Sequence, residues 1–160
     1  MTSVPGVEVT PNGTRGVEFP PVARMLMRLF TPLNPLMYRL FGARMRVQRR
    51  PVLLLTTVGA RTGRRRQTMV VWFPDPRGDL VVASNAGATR HPSWFFNLAR
   101  HPGSVWVQKA DRTMKVRPEL LRGAERAAAW QQIVTMSPVF ASYATKTDRE
   151  IPVVRLVEES

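Results

Sequence analysis

The stretch from Leu53 to Arg66, LLLTTVGARTGRRR, limits most sharply what this chain can fold into. Apolar and β-branched residues of strand type run to Val58 and stop at Gly59. A glycine-bounded loop follows, Gly59-Ala60-Arg61-Thr62-Gly63, and then Arg64, Arg65 and Arg66. The two glycines let the backbone turn through left-handed conformations and come close to a ligand. Exposed loop N–H groups and the Thr62 hydroxyl can donate to an anion, and the arginines add planar, bidentate donors. If a new strand has begun by Arg64, then Arg64 and Arg66 share one face and Arg65 the other. The loop reads as a site for a polyanionic small molecule, or equally as a hairpin turn with a solvated basic tip. It is neither a G-x-x-x-x-G-K-[ST] phosphate loop nor a G-x-G-x-x-G dinucleotide turn.

The charge balance supports an anionic ligand. With 24 Lys+Arg against 11 Asp+Glu the formal net charge is +13. Such a field attracts nucleic acid, acidic lipid or a multiply charged cofactor without choosing among them. Nucleic acid is not expected, because no recognised motif is present and aromatics do not alternate with the arginines as a stacking platform requires. The absence of cysteine excludes disulfides, thiolate catalysis and Cys-based clusters, and with only His91 and His101 no metal site is expected. The first twenty residues lack an apolar signal core, and no uncharged run approaches the roughly 18 residues of a membrane span. The expected location is cytoplasmic, with contact at the inner face of the plasma membrane left open.

At 160 residues the chain fits one domain. Residues 1–20, rich in Gly, Pro and Thr, read as a flexible arm. Residues 21–50 read as basic amphipathic helices. Met25, Leu26, Leu29 and Phe30 recur at helical spacing, and Pro32 and Pro35 open new turns after Thr31 or Asn34 as N-caps. Leu36, Met37, Leu40 and Phe41 continue the pattern to Gly42. These helices either pack on the protein's own core or a subunit partner, the commoner arrangement, or lie on an anionic membrane.

Residues 51–160 alternate strand and turn. Gln67–Phe73 and Leu80–Ala83 flank a strong turn, and Ser84-Asn85-Ala86-Gly87-Ala88 leaves room for something flat against the backbone. A helix follows Pro92, with Trp94, Phe95 and Leu98 on one stripe. Ser104–Lys109 and Arg112–Leu120 form a second hairpin, Arg122–Met136 a helix, and Ile151–Val157 a last strand after a loop bearing Phe140 and Tyr143. Hairpins with inserted helices and no βαβ rhythm predict an antiparallel α+β domain on a small barrel.

No G-x-S-x-G, no H-E-x-x-H and no carboxylate pair in an apolar setting appears, so the reactivity is expected to come from a cofactor. Four segments, LLLTTVGARTGRRR, VVASNAG, HPSWFFNL and TDREIPVV, occur in this order. From roughly Val52 to Val157 the chain resembles the deazaflavin-dependent nitroreductase family, actinobacterial oxidoreductases that use coenzyme F420 on a split β-barrel related to flavin-binding, pyridoxamine-phosphate-oxidase-like proteins. The resemblance implies F420, with FMN the lesser alternative. It implies that Gly59, Arg61, Thr62, Gly63, Arg64 and Arg66 bind the acidic tail, Arg64 or Arg65 substituting for the arginine that members often carry where this chain has Ala60. It implies that Ala83, Ser84, Asn85, Ala86 and Gly87 approach the ring, and that His91, Pro92, Trp94 and Asn97 shape the pocket, although Trp94 taken alone reads rather as core packing. Members commonly have glycine where this chain has Ala86. The tyrosine-rich substrate loop of well-known nitroreductases corresponds to Ser137–Tyr143, which keeps only Tyr143. That weighs against bicyclic nitroimidazoles and leaves a quinone-like acceptor, with Ser84 and Tyr143 as the catalytic hydroxyls. The alternative is a non-catalytic protein of the same barrel holding a lipid, tetrapyrrole or cofactor. The sequence leaves monomer and homodimer both open.

Overall fold

The computed structural model describes residues 6–42 and 44–160. Its core is a closed barrel. Strands β1 (Arg46–Val47), β2 (Arg50–Val58), β3 (Arg65–Asp75), β4 (Gly78–Val82), β5 (Trp106–Lys109), β6 (Arg112–Leu120) and β7 (Val153–Glu158) follow in chain order. They pair antiparallel in the order β1-β2-β3-β4-β7-β6-β5, and β5 returns to pair with β2, so six strands close on themselves and β1 is appended outside. The two long strands make closure possible. The first half of β3 pairs with β2 and its second half with β4, while β6 is shared in the same way between β5 and β7. The α+β split-barrel expectation is borne out.

The apolar residues sort by alternation. Leu53 and Leu55 point into the barrel with Val81, Val107, Val116, Val154 and Leu156, and Val52 and Leu54 point outward toward Tyr38. That two-sided burial explains why this strand reads as an unbroken apolar run. Helix α3 (Ser93–Arg100) plugs the barrel by inserting Phe95 and Leu98, both fully buried. Helices α4 (Gly123–Met136) and α5 (Val139–Lys146) cover the outer face through Ile133 and Phe140 against Phe73, Leu80 and Val153.

Several local expectations need correction. The segment bearing Phe140 and Tyr143 is helix α5, not a loop; Val139, Phe140 and Tyr143 at helical spacing supply the apolar face. Helices α1 (Pro21–Phe30) and α2 (Asn34–Phe41), joined by a 3₁₀ turn, start with proline in the first turn as expected, but neither Thr31 nor Asn34 caps. The Thr31 hydroxyl instead donates to the Met27 carbonyl at 2.6 Å. The two helices differ in packing: α1 buries no residue, whereas α2 packs on the barrel through Tyr38, buried against Val52 and Leu54. Part of the 21–50 stretch is strand, because Arg46–Val47 folds back on Arg50 and Pro51.

The segment read as a loose arm is tied down over residues 7–17. Val7 is buried in the barrel cluster, Gly13 N–H donates to the Thr89 carbonyl and Val17 N–H to the Gly87 carbonyl, each at 2.9 Å. Asp148 accepts from the backbone N–H of Thr14 and Arg15 at 2.9 Å and from the Thr14 hydroxyl. Those bonds draw its carboxyl down to about 2.

Candidate functional site

The basic loop joins β2 to β3 and is closed by its own backbone. Gly59 N–H donates to the Arg64 carbonyl at 2.8 Å and Gly63 N–H to the Gly59 carbonyl at 2.9 Å. Gly63 has φ +65°, the conformation for which glycine is suited. Asn97, buried on α3, accepts from Ala60 N–H at 2.9 Å and donates to the Thr57 hydroxyl at 3.2 Å. Both ends of one amide are therefore satisfied, and the loop is fastened to α3. With the N–H groups of Gly59, Ala60 and Gly63 engaged within the protein, the donors that the loop presents outward are mainly guanidinium groups. Arg61, Arg64, Arg65 and Arg66 are all exposed, and none is ion-paired among the described residues. Arg65 lies over the Trp106 ring at 4.6 Å, while Arg66, opposite Thr57, faces the other way.

A cleft of about 290 Å³ begins two residues further along β3, at Thr68. Its volume is at the low end for small-molecule sites, which span about 300–1,000 Å³. Its walls are Met69 and Val71 of β3, Val82, Pro92 and Trp94 at the start of α3, Phe140 and Tyr143 of α5, and Val47 and Gln48 of the β1–β2 hairpin. Ser84, Asn85 and Ala86 form the remaining side. Asn85, Ala86 and Gly87 have φ of 44°, 52° and 79°, a left-handed run at the side of the cleft that Asn85 and Ala86 line.

Behind this turn stands Arg149, which sequence reasoning did not assign. Its buried guanidinium donates to the carbonyls of Ala88 (2.8 Å), Ala83 (3.1 Å) and Ser84 (2.5 Å). It donates also to His91 Nδ1 at 3.0 Å, and burial draws its pKa down to about 10. His91 Nε2 then donates to the Thr10 carbonyl at 2.9 Å, which fixes a neutral imidazole. Burial lowers the pKa of His91, and the Arg149 charge lowers it further.

The expected site residues thus fall into three groups. Ser84, Asn85, Ala86, Pro92, Trp94 and Tyr143 line the cleft. Gly59, Arg61, Thr62, Gly63, Arg64 and Arg66 form the loop at its end, held by Asn97. Ala83 and Gly87 are buried behind the turn, and His91 is not in the cleft but supports that turn from the far side. The β3 wall went unread, since its half-exposed residues look on sequence like an ordinary strand. Arg149 lay within the quoted TDREIPVV segment, where an arginine after an apolar-poor turn gives no sign of burial.

The profile of the F420H(2)-dependent quinone reductase family matches residues 33–158. The chain belongs to this family. It is similar to the F420H(2)-dependent quinone reductase Rv1261c of Mycobacterium tuberculosis, 34% identical over 110 residues, 66% of this chain and 72% of that one. Among solved structures it is similar to an F420-H2 dependent reductase, FDR-A, with 38% identity, a TM-score of 0.60, and coverage of 67% of this chain and 94% of the other. It is similar also to a chain described as a domain-swapped dimer, with 32% identity, a TM-score of 0.61, and coverage of 84% and 96%. The non-catalytic alternative is not favoured by these relatives.

Proposed function

We propose that this family member is an F420H2-dependent quinone reductase whose cofactor runs from the Gly59–Gly63 loop into the adjoining cleft. The observation that carries this reading is the juxtaposition itself: Arg61, Arg64 and Arg66, without carboxylate partners among the described residues, stand in the loop that leads into β3, and β3 forms one wall of a cleft of mixed polar and apolar lining. These residues fit the group. Arg61, Arg64 and Arg66, with Thr62 between Gly59 and Gly63, suit the phosphate and carboxylates of its tail. Asn97 keeps the loop in place. The backbone at Ser84, Asn85 and Ala86, set by Ala83, Gly87 and Arg149 behind it, suits a planar ring bracketed by Pro92 and Trp94.

The reduced deazaflavin, bound there, supplies a hydride. A quinone that receives this hydride needs one further proton to become the hydroquinone. The hydroxyls of Ser84 and Tyr143 line the cleft where the quinone oxygen gains negative charge, so they hydrogen-bond it and Tyr143 delivers the proton. Met69, Val70, Val71 and Phe140 exclude water and favour an apolar acceptor. Mixing F420H2 with menadione in the presence of the protein is expected to restore deazaflavin fluorescence catalytically. No rate above the protein-free mixture contradicts the assignment.

The same reading extends to an anionic membrane surface. Between Glu18 and Asp75 the chain has no carboxylate but eleven arginines, namely Arg24, Arg28, Arg39, Arg44, Arg46, Arg49, Arg50, Arg61, Arg64, Arg65 and Arg66. The helices in this stretch expose Leu29 (63%), Phe30 (60%), Leu40 (63%) and Phe41 (54%). Apolar faces beside acid-free basic ones suit interfacial binding to acidic lipid, and no helix among the described residues is long and apolar enough to cross a membrane. The hairpin that follows α2 forms one wall of the cleft, which suits uptake of a lipid-soluble quinone. Flotation with phosphatidylglycerol vesicles is expected for the intact protein and not for a Leu29→Glu, Phe30→Glu, Leu40→Glu variant. Equal behaviour of the two, or dimerisation through these helices in place of flotation, contradicts the extension.

A further inference from the structure

Resting on the quinone reductase reading, we infer that Gln48 is a positioning residue that presents the Tyr143 proton to the acceptor. Gln48 is at the tip of the β1–β2 hairpin, in a stretch that the sequence assigns to amphipathic helix. Its side-chain amide nitrogen lies 2.5 Å from the Tyr143 hydroxyl oxygen, and both residues line the cleft. An amide N–H only donates, so the phenol oxygen accepts and its own proton is left to point elsewhere. Gln48 is exposed, and a proton that cannot point at its amide is the one available to an acceptor in the cleft. A phenol free to rotate would instead spend much of its time donating to water.

The turn chemistry supports a role beyond folding. Gln48 and Arg49 have φ of 52° and 63°, so the hairpin has left-handed residues at both central positions. Asn-Gly is the preferred pair for such a turn. Neither fits the observed contact: glycine has no amide, and asparagine is one methylene shorter than the side chain that spans the gap. Gln48 therefore opposes its local turn preference while completing a contact across the cleft mouth, and such conflicts gather at functional positions. Lys146, whose Nζ is 5.7 Å from the Tyr143 ring centroid, is the charged group nearest on α5 and also donates only.

In the reaction, the hydride and its electron pair pass from reduced deazaflavin to the quinone. The Tyr143 O–H bond breaks as the quinone oxygen takes that proton, and water reprotonates the phenolate. The decisive variants are Gln48→Asn and Gln48→Gly, which suit the turn but cannot reach Tyr143. With F420H2 and menadione we expect a thermal midpoint no lower than wild type, an unchanged KM and a kcat lower by about tenfold. In a Tyr143→Phe background the same substitutions are expected to change nothing further. Gln48→Glu, whose carboxylate accepts the phenol proton, is expected to lose on the order of a hundredfold. The ¹³Cζ resonance of Tyr143 is expected to shift in each variant, without any need for turnover. An active wild type with unchanged kcat in Gln48→Asn, an equal loss in the Tyr143→Phe background, or an unmoved resonance overturns the assignment of Gln48 alone. A wild type that does not oxidise F420H2 overturns the reductase reading and this inference with it.

Discussion

Arg149 governs the cleft without touching it. Its guanidinium is buried, has no carboxylate partner among its contacts, and is held by three carbonyls of the turn and by His91. Arg149→Met would leave the Ala83 and Ala88 carbonyls without this donor, while the Ser84 carbonyl keeps the Gly87 N–H, so we expect a loss of about 2 kcal/mol or more in urea unfolding. His91 makes the same cluster sensitive to pH. Its folded pKa is below the ordinary 6.5, so the unfolded chain takes up the proton first. The stability contributed is complete above about pH 6.5 and is lost as pH falls through the lowered folded value. Thermal midpoints measured from pH 7.5 to 5 are expected to fall for wild type, and less steeply for His91→Gln. Ala86 offers the opposite test. It has φ 52°, where glycine is favoured, and Ala86→Gly is expected to raise stability by about 1 kcal/mol.

The turn and α5 depend on each other at the scale of elements. Gly87 has φ +79°, and a β-carbon there would come within 2.9 Å of the Tyr143 carbonyl and of Lys146 Cβ. Gly87→Ala is expected to push α5 outward and displace Tyr143, lowering kcat with menadione more than F420 affinity. How far these elements were legible follows from their chemistry. β2 and the basic loop read directly, because an apolar strand ending in two glycines and three arginines has few local solutions. α3 and α4 read from their stripes. α5 did not, since eight residues after a proline are short for a helical period to stand out. The β1–β2 hairpin was hidden because its central residues, Gln48 and Arg49, are not those that mark a tight turn. Its contact with Tyr143 joins residues 95 positions apart, and no local pattern encodes that.

Barrel and loop act together at the scale of the whole molecule. The barrel is closed by β5 on β2, plugged by α3 and crossed by the N-terminal segment, and it sets the Asn97 amide against the loop. Asn97→Ala is expected to cost about 1–3 kcal/mol of stability and to loosen the loop, weakening F420 binding while leaving the cleft walls in place. The barrel fold was accessible from the hairpin rhythm. The cleft was not, because its walls come from β1–β2, β3, the turn at Ser84, α3 and α5, which only the closed sheet assembles. Cofactor binding is expected to depend on the arginine loop holding the acidic end of a deazaflavin. The most direct measurement is a fluorescence titration of F420 with wild type and with Arg61→Ala, Arg66→Ala at low and high salt. The expected result is saturable micromolar binding by wild type that weakens as salt rises, and at least tenfold weaker, less salt-dependent binding by the variant. Binding of equal strength and equal salt dependence in the two proteins, or none in either, contradicts it.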